Sequence, residues 1–350
     1  MGRLIDRLNG NNPVSLLALK RLMKRADAPP DAPALLVIIF LLVLYEKPAF
    51  AAPDDAARPL RIVTFNLLHG GPLSGFMNDD SHLEARLEMA TRELEALEPD
   101  IVALQEASVS RRHGDVSGRL ARHLGFNLAF APATERIFRF WPLDRLIVGL
   151  MGFKEGSAIL SRFPIVQSEV YDLPRCRRVL EPRILLRADL SMPWGLLQIF
   201  STHIGRGDEC QMERVGNIVQ EGRGVGPSLL MGDFNTLDTS KVLTMLQEKA
   251  GFVDAFRTAN PGVPGLTVWQ RIHVERPTVF RRVDFIFLLN GQESTAEVRS
   301  SRVVLDRPGR LPNGTALWPS DHYGVFAEIK IVPIDSNQIT SRCTSRICAP

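Results

Sequence analysis

Six short segments each set a polar or charged side chain at the margin of an apolar, β-forming run, where strand packing has no need of one. They are Thr64-Phe65-Asn66, Leu104-Gln105-Glu106, Ser201-Thr202-His203, Gly232-Asp233-Phe234-Asn235, Arg282-Val283-Asp284 and Ser320-Asp321-His322. Each alone is bland. Asp-Phe-Asn is usually a turn, and a strand-end histidine is usually a hydrogen-bonded edge residue. Asp284 is the least bland, because a carboxylate inside Arg-Val-Asp-Phe-Ile-Phe costs free energy unless it is paired. The set, in this order and each at a strand end, is what any fold for this chain has to accommodate.

The elements around these segments follow from periodicity. Leu60–Asn66 alternates and is β-rich, so it reads as the first strand. Ser81 opens a helix, with Glu84 completing a capping box. Leu83, Leu87, Ala90, Leu94 and Leu97 give that helix one apolar face, and Pro99 ends it. Residues 101–104 form a short buried strand with Gln105-Glu106 at its end. Residues 119–124 read as a helix and 126–130 as a strand. Residues 156–160, 183–190, 196–203, 228–233, 283–289 and 323–332 read as further strands, and 239–249 as a helix. Residues 136–153 are apolar and aromatic, broken by Pro142, and stand as an insertion beside the active face. Many strands with a few interspersed helices predict an α/β chain. The expected form is two packed mixed β-sheets flanked by helices, a four-layer α/β sandwich. No internal repeat is present.

The N-terminal region carries the 12-residue apolar run 34–45. A membrane span needs about 20 residues, whereas a secretory apolar region needs roughly 7–15. Lys20, Arg21, Lys24 and Arg25 precede the run, and Ala49-Phe50-Ala51 offers a small-x-small cleavage site. The expectation is export to the periplasm or the extracellular space, with the 34–45 segment as a membrane anchor the alternative. Met23 would give a leader of ordinary proportions. The organisation expected is residues 1–51 as signal peptide or N-terminal anchor, 52–59 as linker, 60–332 as catalytic domain and 333–350 as polar tail. Of the four cysteines, none lies in a zinc-ligand spacing. If the 183–190 and 196–203 strands are neighbours, Cys176 and Cys210 come within reach of each other. Cys343 and Cys348 would close a small loop in the tail. The net charge of +3 lacks the strong positive footprint of a dedicated nucleic-acid binder.

Hydrolysis of a phosphate ester needs a hard cation, a base for water and stabilisation of the leaving oxygen. The six segments supply Asn66, Glu106, Asp233, Asn235, Asp284 and Asp321 as oxygen ligands or orienters, and His203 and His322 as imidazoles. Carboxylates with histidine and no clustered cysteine favour Mg²⁺ or Mn²⁺.

The ordered set resembles the endonuclease/exonuclease/phosphatase superfamily, which includes secreted deoxyribonucleases, abasic-site endonucleases, inositol-polyphosphate phosphatases and neutral sphingomyelinases. Gly156-Ser157-Ala158-Ile159-Leu160-Ser161-Arg162-Phe163-Pro164 is similar to a strand and turn common in it. The resemblance implies Asn66, Glu106 and Asp321 as metal ligands, with Glu106 the main one. It implies His322 as the group that activates water, oriented by Asp284, and Asp233 and Asn235 as residues that position nucleophile and phosphate. His203 would contact the phosphate or protonate the leaving group, as in the deoxyribonuclease and sphingomyelinase subgroup. Either Asp233 or His322 is the general base. Asp79 or Asp80 is a weaker candidate ligand, and Arg175, Arg177, Arg178 and Arg206 are candidates to ring the phosphate. The function expected is an exported metal-dependent phosphodiesterase acting on nucleic acid or a phospholipid headgroup, with transient membrane contact and no obligate protein partner. The alternative is an inactive binding module that keeps the fold. An exposed apolar surface at 136–153 would favour a membrane substrate, and a basic groove would favour nucleic acid.

Overall fold

The computed structural model describes residues 58–69, 82–138, 140–176, 181–269 and 271–334. The leader with its 34–45 run and Ala49–Ala51, Met23, Asp79, Asp80, Ser81, Arg177, Arg178, Cys343 and Cys348 all lie outside the described residues. In chain order the first half runs β1 (Leu60–Asn66), α1 (Leu83–Leu97), β2 (Ile101–Ser110), β3 (Gly114–Asp115), α2 (Val116–Leu124), β4 (Asn127–Pro132), α3 (Trp141–Met151) and β5 (Phe153–Ser161). Then come β6 (Ile165–Asp172), β7 (Ile184–Met192), β8 (Gly195–His203), α4 (Glu209–Glu221), β9 (Ser228–Asp233), α5 (Lys241–Ala250), β10 (Val253–Asp254) and α6 (Ala255–Ala259). The chain closes with β11 (Asp284–Leu289), β12 (Ser294–Val304), β13 (Gly309–Arg310), β14 (Ala316–Leu317) and β15 (Gly324–Pro333).

Two sheets carry the architecture. One has the order β12-β15-β1-β2-β5-β4, with β3 paired to β2, and the other β10-β11-β9-β8-β7-β6. Each contains one parallel pair, β1 with β2 and β8 with β9, and both are therefore mixed. A parallel pair needs a crossover, and the intervening helices α1 and α4 supply it. Successive side chains on a strand face opposite ways. Ile62, Ile101, Ala103 and Ile159 of the first sheet meet Leu186, Ile199, Leu229, Met231 and Ile286 of the second. Their alternating neighbours Val63, Phe65, Val102 and Leu104 pack under α1 and α2. Leu185, Phe200, Leu230 and Phe285 pack under α4 and α5. The result is the expected four-layer α/β sandwich. Central strands buried on both faces also explain why β1 hides Thr64 and Asn66 as fully as its apolar residues.

Several local expectations are corrected. The first helix begins at Leu83 behind His82, whose side chain makes no capping bond, and Glu84 reaches instead to Arg119, 3.0 Å away. The strand that starts at Ile101 does not end at Glu106 but continues to Ser110 through a bulge. Leu104 faces Ala158 and Ala107 faces Gly156, so Gln105 and Glu106 together oppose Ser157. β6 and β12 were not foreseen, because both are largely solvated and polar. Residues 141–151 form a helix with Pro142 in its first turn, where the missing N–H costs nothing. The neighbouring β7 and β8 bring Cys176 and Cys210 together as a disulfide, with Cα atoms 6.5 Å apart.

Candidate active site

The eight candidate residues converge at one end of the two sheets. β1, β8 and β9 end there, while β11 and β15, antiparallel to β9 and β1, begin there. Thus Asp284 and His322, which precede or open their strands, meet Asn66, His203 and Asp233, which close theirs. Glu106 joins from the β2 bulge, at φ 52°. Left-handed backbone at a non-glycine residue is uncommon and collects at functional sites. Asn235, at φ 46°, is a second instance. Beneath Glu106, Gln105 ties the sheets together, its amide donating to Thr64 Oγ1 (3.2 Å) and Ser201 Oγ (3.3 Å).

Asp233 is the hub. Its Oδ2 accepts from Asn66 Nδ2 at 3.1 Å and from Asn235 Nδ2 at 3.2 Å. The same oxygen lies 3.3 Å from His203 Nε2 and 3.7 Å from His322 Nε2. Its Oδ1 accepts from the Asn235 backbone N–H at 2.8 Å. Burial pushes the Asp233 carboxyl up to about 7, with Asp284 adding to the rise and His322 opposing it. His322 Nδ1 donates to Asp284 Oδ2 at 2.9 Å. Burial alone would lower the His322 pKa, but the facing carboxylates Asp284 and Asp233 hold it well above the ordinary value. His203 is displaced the other way, well below its ordinary value, by burial and then by the charge of Arg183. Its Nε2 accepts from Asn235 Nδ2 at 3.1 Å, and its buried Nδ1 has no partner among the described residues. The two imidazoles therefore have opposite proton preferences at neutral pH.

Glu106 and Asp321 form an acidic edge beside this network. Asn66 Nδ2 donates to Glu106 Oε1 at 3.3 Å. Burial raises Asp321 to about 6, and Glu106 contributes to that rise against the pull of His322. Asp321, whose ionisation is opposed by burial and by the Glu106 charge, would gain from a nearby hard cation, and an all-oxygen edge fits Mg²⁺ or Mn²⁺. Asp233, Asp284 and His322 also present atoms within 4.8 Å of one another. There, however, His322 Nδ1 is committed to Asp284, which fits a proton-handling pair better than a ligand set. The Glu106–Asp321 edge is the better metal candidate on that ground.

Supporting residues outside the six segments complete the site. Arg86 of α1 is buried, and its Nη1 donates to the carbonyls of Leu67 (2.9 Å) and Pro319 (3.2 Å). It thereby clamps the loop after β1 to the loop that carries Asp321 and His322. A signal existed in the sequence, since Arg86 falls in phase with Leu83, Leu87 and Ala90 on the buried face. His69 sits 3.7 Å from Glu106 and 3.8 Å from Glu155, with its ring against Phe153. Nothing in the sequence marked that contact. Arg175 donates to the backbone carbonyls of Arg136 and Ile137, so it braces the α3 approach.

The match to known proteins is now decisive. The family model described as the endonuclease/exonuclease/phosphatase family matches residues 63–322. The chain belongs to the endonuclease/exonuclease/phosphatase family. Solved structures of that family share the fold at low identity. A mannosyl-6-phosphatase of Bacteroides thetaiotaomicron VPI-5482 is 19% identical, with a TM-score of 0.57 over 77% of this chain and 99% of that one. The human Nocturnin catalytic domain with a bound sulfate anion is 21% identical, with a TM-score of 0.55 over 79% and 94%. A Beutenbergia cavernae DSM 12333 endonuclease/exonuclease/phosphatase is 23% identical, with a TM-score of 0.52 over 78% and 71%. No curated protein matches the sequence. Members of the endonuclease/exonuclease/phosphatase family hydrolyse phosphoesters, and the family is generally dependent on a divalent metal.

Proposed function

We propose that this chain is an exported, divalent-metal-dependent phosphodiesterase, nuclease-like or directed at a phospholipid headgroup. The observation that carries the reading is the Asp284–His322–Asp233 chain of contacts, set beside the acidic edge of Glu106 and Asp321. In this reading Glu106, Asp321 and Asn66 hold Mg²⁺ or Mn²⁺, which supplies charge neutralisation at the phosphoryl oxygens. Asp284 fixes the His322 ring and keeps it cationic, so His322 faces the phosphate as a donor. Asp233, raised to about 7, then becomes the acceptor for the proton of the attacking water. Asn235 and Asn66 hold the Asp233 carboxylate in place. His203, neutral and buried, is the group that contacts the phosphate or leaving oxygen. Export rests on the 34–45 run and the Ala49–Ala51 site, and a periplasmic or extracellular protein also suits the Cys176–Cys210 disulfide.

The test is a Mg²⁺ and Mn²⁺ titration against plasmid DNA, sphingomyelin vesicles and bis-p-nitrophenyl phosphate, with Glu106→Ala as control. EDTA-sensitive hydrolysis that disappears in Glu106→Ala is the expected outcome, and the preferred substrate selects between nucleic acid and lipid. A folded protein silent on all three substrates, or an unimpaired Glu106→Ala, would overturn the assignment.

A further inference from the structure

We infer that α3 and the loop before it form a docking surface for a phospholipid bilayer carrying anionic headgroups. This extends the proposed function by naming the surface on which the site would work, and it rests on that reading only for its purpose. The helix is inverted relative to an ordinary surface helix, whose apolar stripe faces the core. Its inward residues are Asp144 and Val148, both buried. Its outward residues are Leu143, Leu146 and Leu150, spaced to share one face, with Leu146 59% and Leu150 71% exposed. Just ahead, Phe138 and Phe140 are also exposed, and the Asp144 carboxylate fixes this loop by accepting the Phe138 backbone N–H at 2.7 Å. Scattered exposed apolar residues are normal on a protein surface, whereas a contiguous cluster marks an interaction site.

Charge and placement select the occupant. The sequence between Thr134 and Lys154 holds four cations and two carboxylates. Arg136 pairs with Asp172 at 2.6 Å and Lys154 with Glu135 at 2.5 Å. The buried Asp144 is turned inward while Arg145 is exposed on the helix, so the surface keeps a positive balance. Arg111 adds another cation from the turn after β2, donating to the Gly149 carbonyl of α3 at 2.6 Å. Exposed Leu and Phe rimmed by Arg and Lys is the composition of a helix lying in the headgroup region, attracted by anionic lipid and inserted by its apolar face. The position agrees. The β2–β5 ladder continues past Glu106 to Ser110 and Phe153, and α3 leads directly into that outer end. Phe153 packs on His69, which in turn lies beside Glu106. The docking helix therefore stands at the catalytic end of the sheets. Among the described residues no helix is long and apolar enough to cross a membrane, so this contact would lie on the bilayer surface.

The experiment is co-sedimentation of the full chain with phosphatidylcholine vesicles, with and without phosphatidylglycerol. Wild type is compared with a Leu146→Ser/Leu150→Ser variant and with Arg145→Glu. Both leucines point to solvent, so the variant keeps the fold. The expected result is binding that is strengthened by phosphatidylglycerol and weakened by salt. The double variant should lower it roughly tenfold, and Arg145→Glu should lower it only on the anionic vesicles. Equal binding by wild type and double variant, as the 34–45 run alone would give, overturns the inference. So does absence of binding, or a self-associated form that the double variant dissolves without any change in vesicle binding. Bis-p-nitrophenyl phosphate turnover, followed in parallel, should be the same in wild type and variants. Its absence from all of them would sink the proposed function while leaving the vesicle comparison to stand.

Discussion

Asp284 shows how much chemistry one carboxylate carries when it is buried. Its Oδ2 is the orienting partner of His322, and its Oδ1 has no partner among the described residues. Asp284→Asn keeps the shape and removes the charge that holds the imidazole cationic. The expected outcome is a fall in kcat of roughly 10²–10⁴-fold on bis-p-nitrophenyl phosphate, with the circular dichroism spectrum unchanged. A kcat within about threefold of wild type would remove Asp284 from this role. Arg86 works through structure instead. Arg86→Met leaves the Leu67 and Pro319 carbonyls without their buried donor, and chemical denaturation should show a loss of about 2–4 kcal/mol. The contrast also marks what the sequence reveals. Asp284 and His322 stand out because a charged side chain at the margin of an apolar strand has no packing use. Glu155 and His69 do not stand out, because their significance depends on a contact between a strand and a loop far apart in the chain.

The same limit operates among the elements. β1 and β9 are legible to the residue, β1 from its alternation and β-rich composition and β9 from its apolar run ending at Gly232-Asp233. β2 reads short because the bulge interrupts its pattern at Gln105-Glu106, and that interruption is the feature that turns Glu106 toward the site. The edge strand β6 escapes because Gln167, Ser168 and Glu169 follow one another and are all exposed, so polar residues occupy both faces and no alternation shows. α3 escapes because its apolar face points outward. Strand β9 carries a further constraint at Gly232, where φ is 147° and an added Cβ would lie 2.0 Å from the Thr202 carbonyl oxygen. Gly232→Ala must push β8 and β9 apart just where His203 and Asp233 face each other. The expected cost is roughly 3 kcal/mol or more, read by thermal denaturation, together with loss of hydrolysis. An alanine variant of wild-type stability would show that the two strands tolerate separation at this point.

At the scale of the molecule, the Cys176–Cys210 disulfide encloses a 34-residue separation and ties the loop before β7 to the start of α4. Loop-closure entropy predicts that a Cys176→Ser/Cys210→Ser variant loses about 4 kcal/mol. Thermal denaturation with and without dithiothreitol should give that loss in wild type and no further loss in the variant. A reductant-insensitive wild type would contradict the prediction. The order of the first sheet has its own consequence. β1, among the first strands made, lies between β2 and β15, and β15 is the last described strand to leave the ribosome. Asp321 and His322 arrive with it. A growing chain therefore lacks both until the second sheet and most of the first have been made, so no shorter nascent chain can assemble the site.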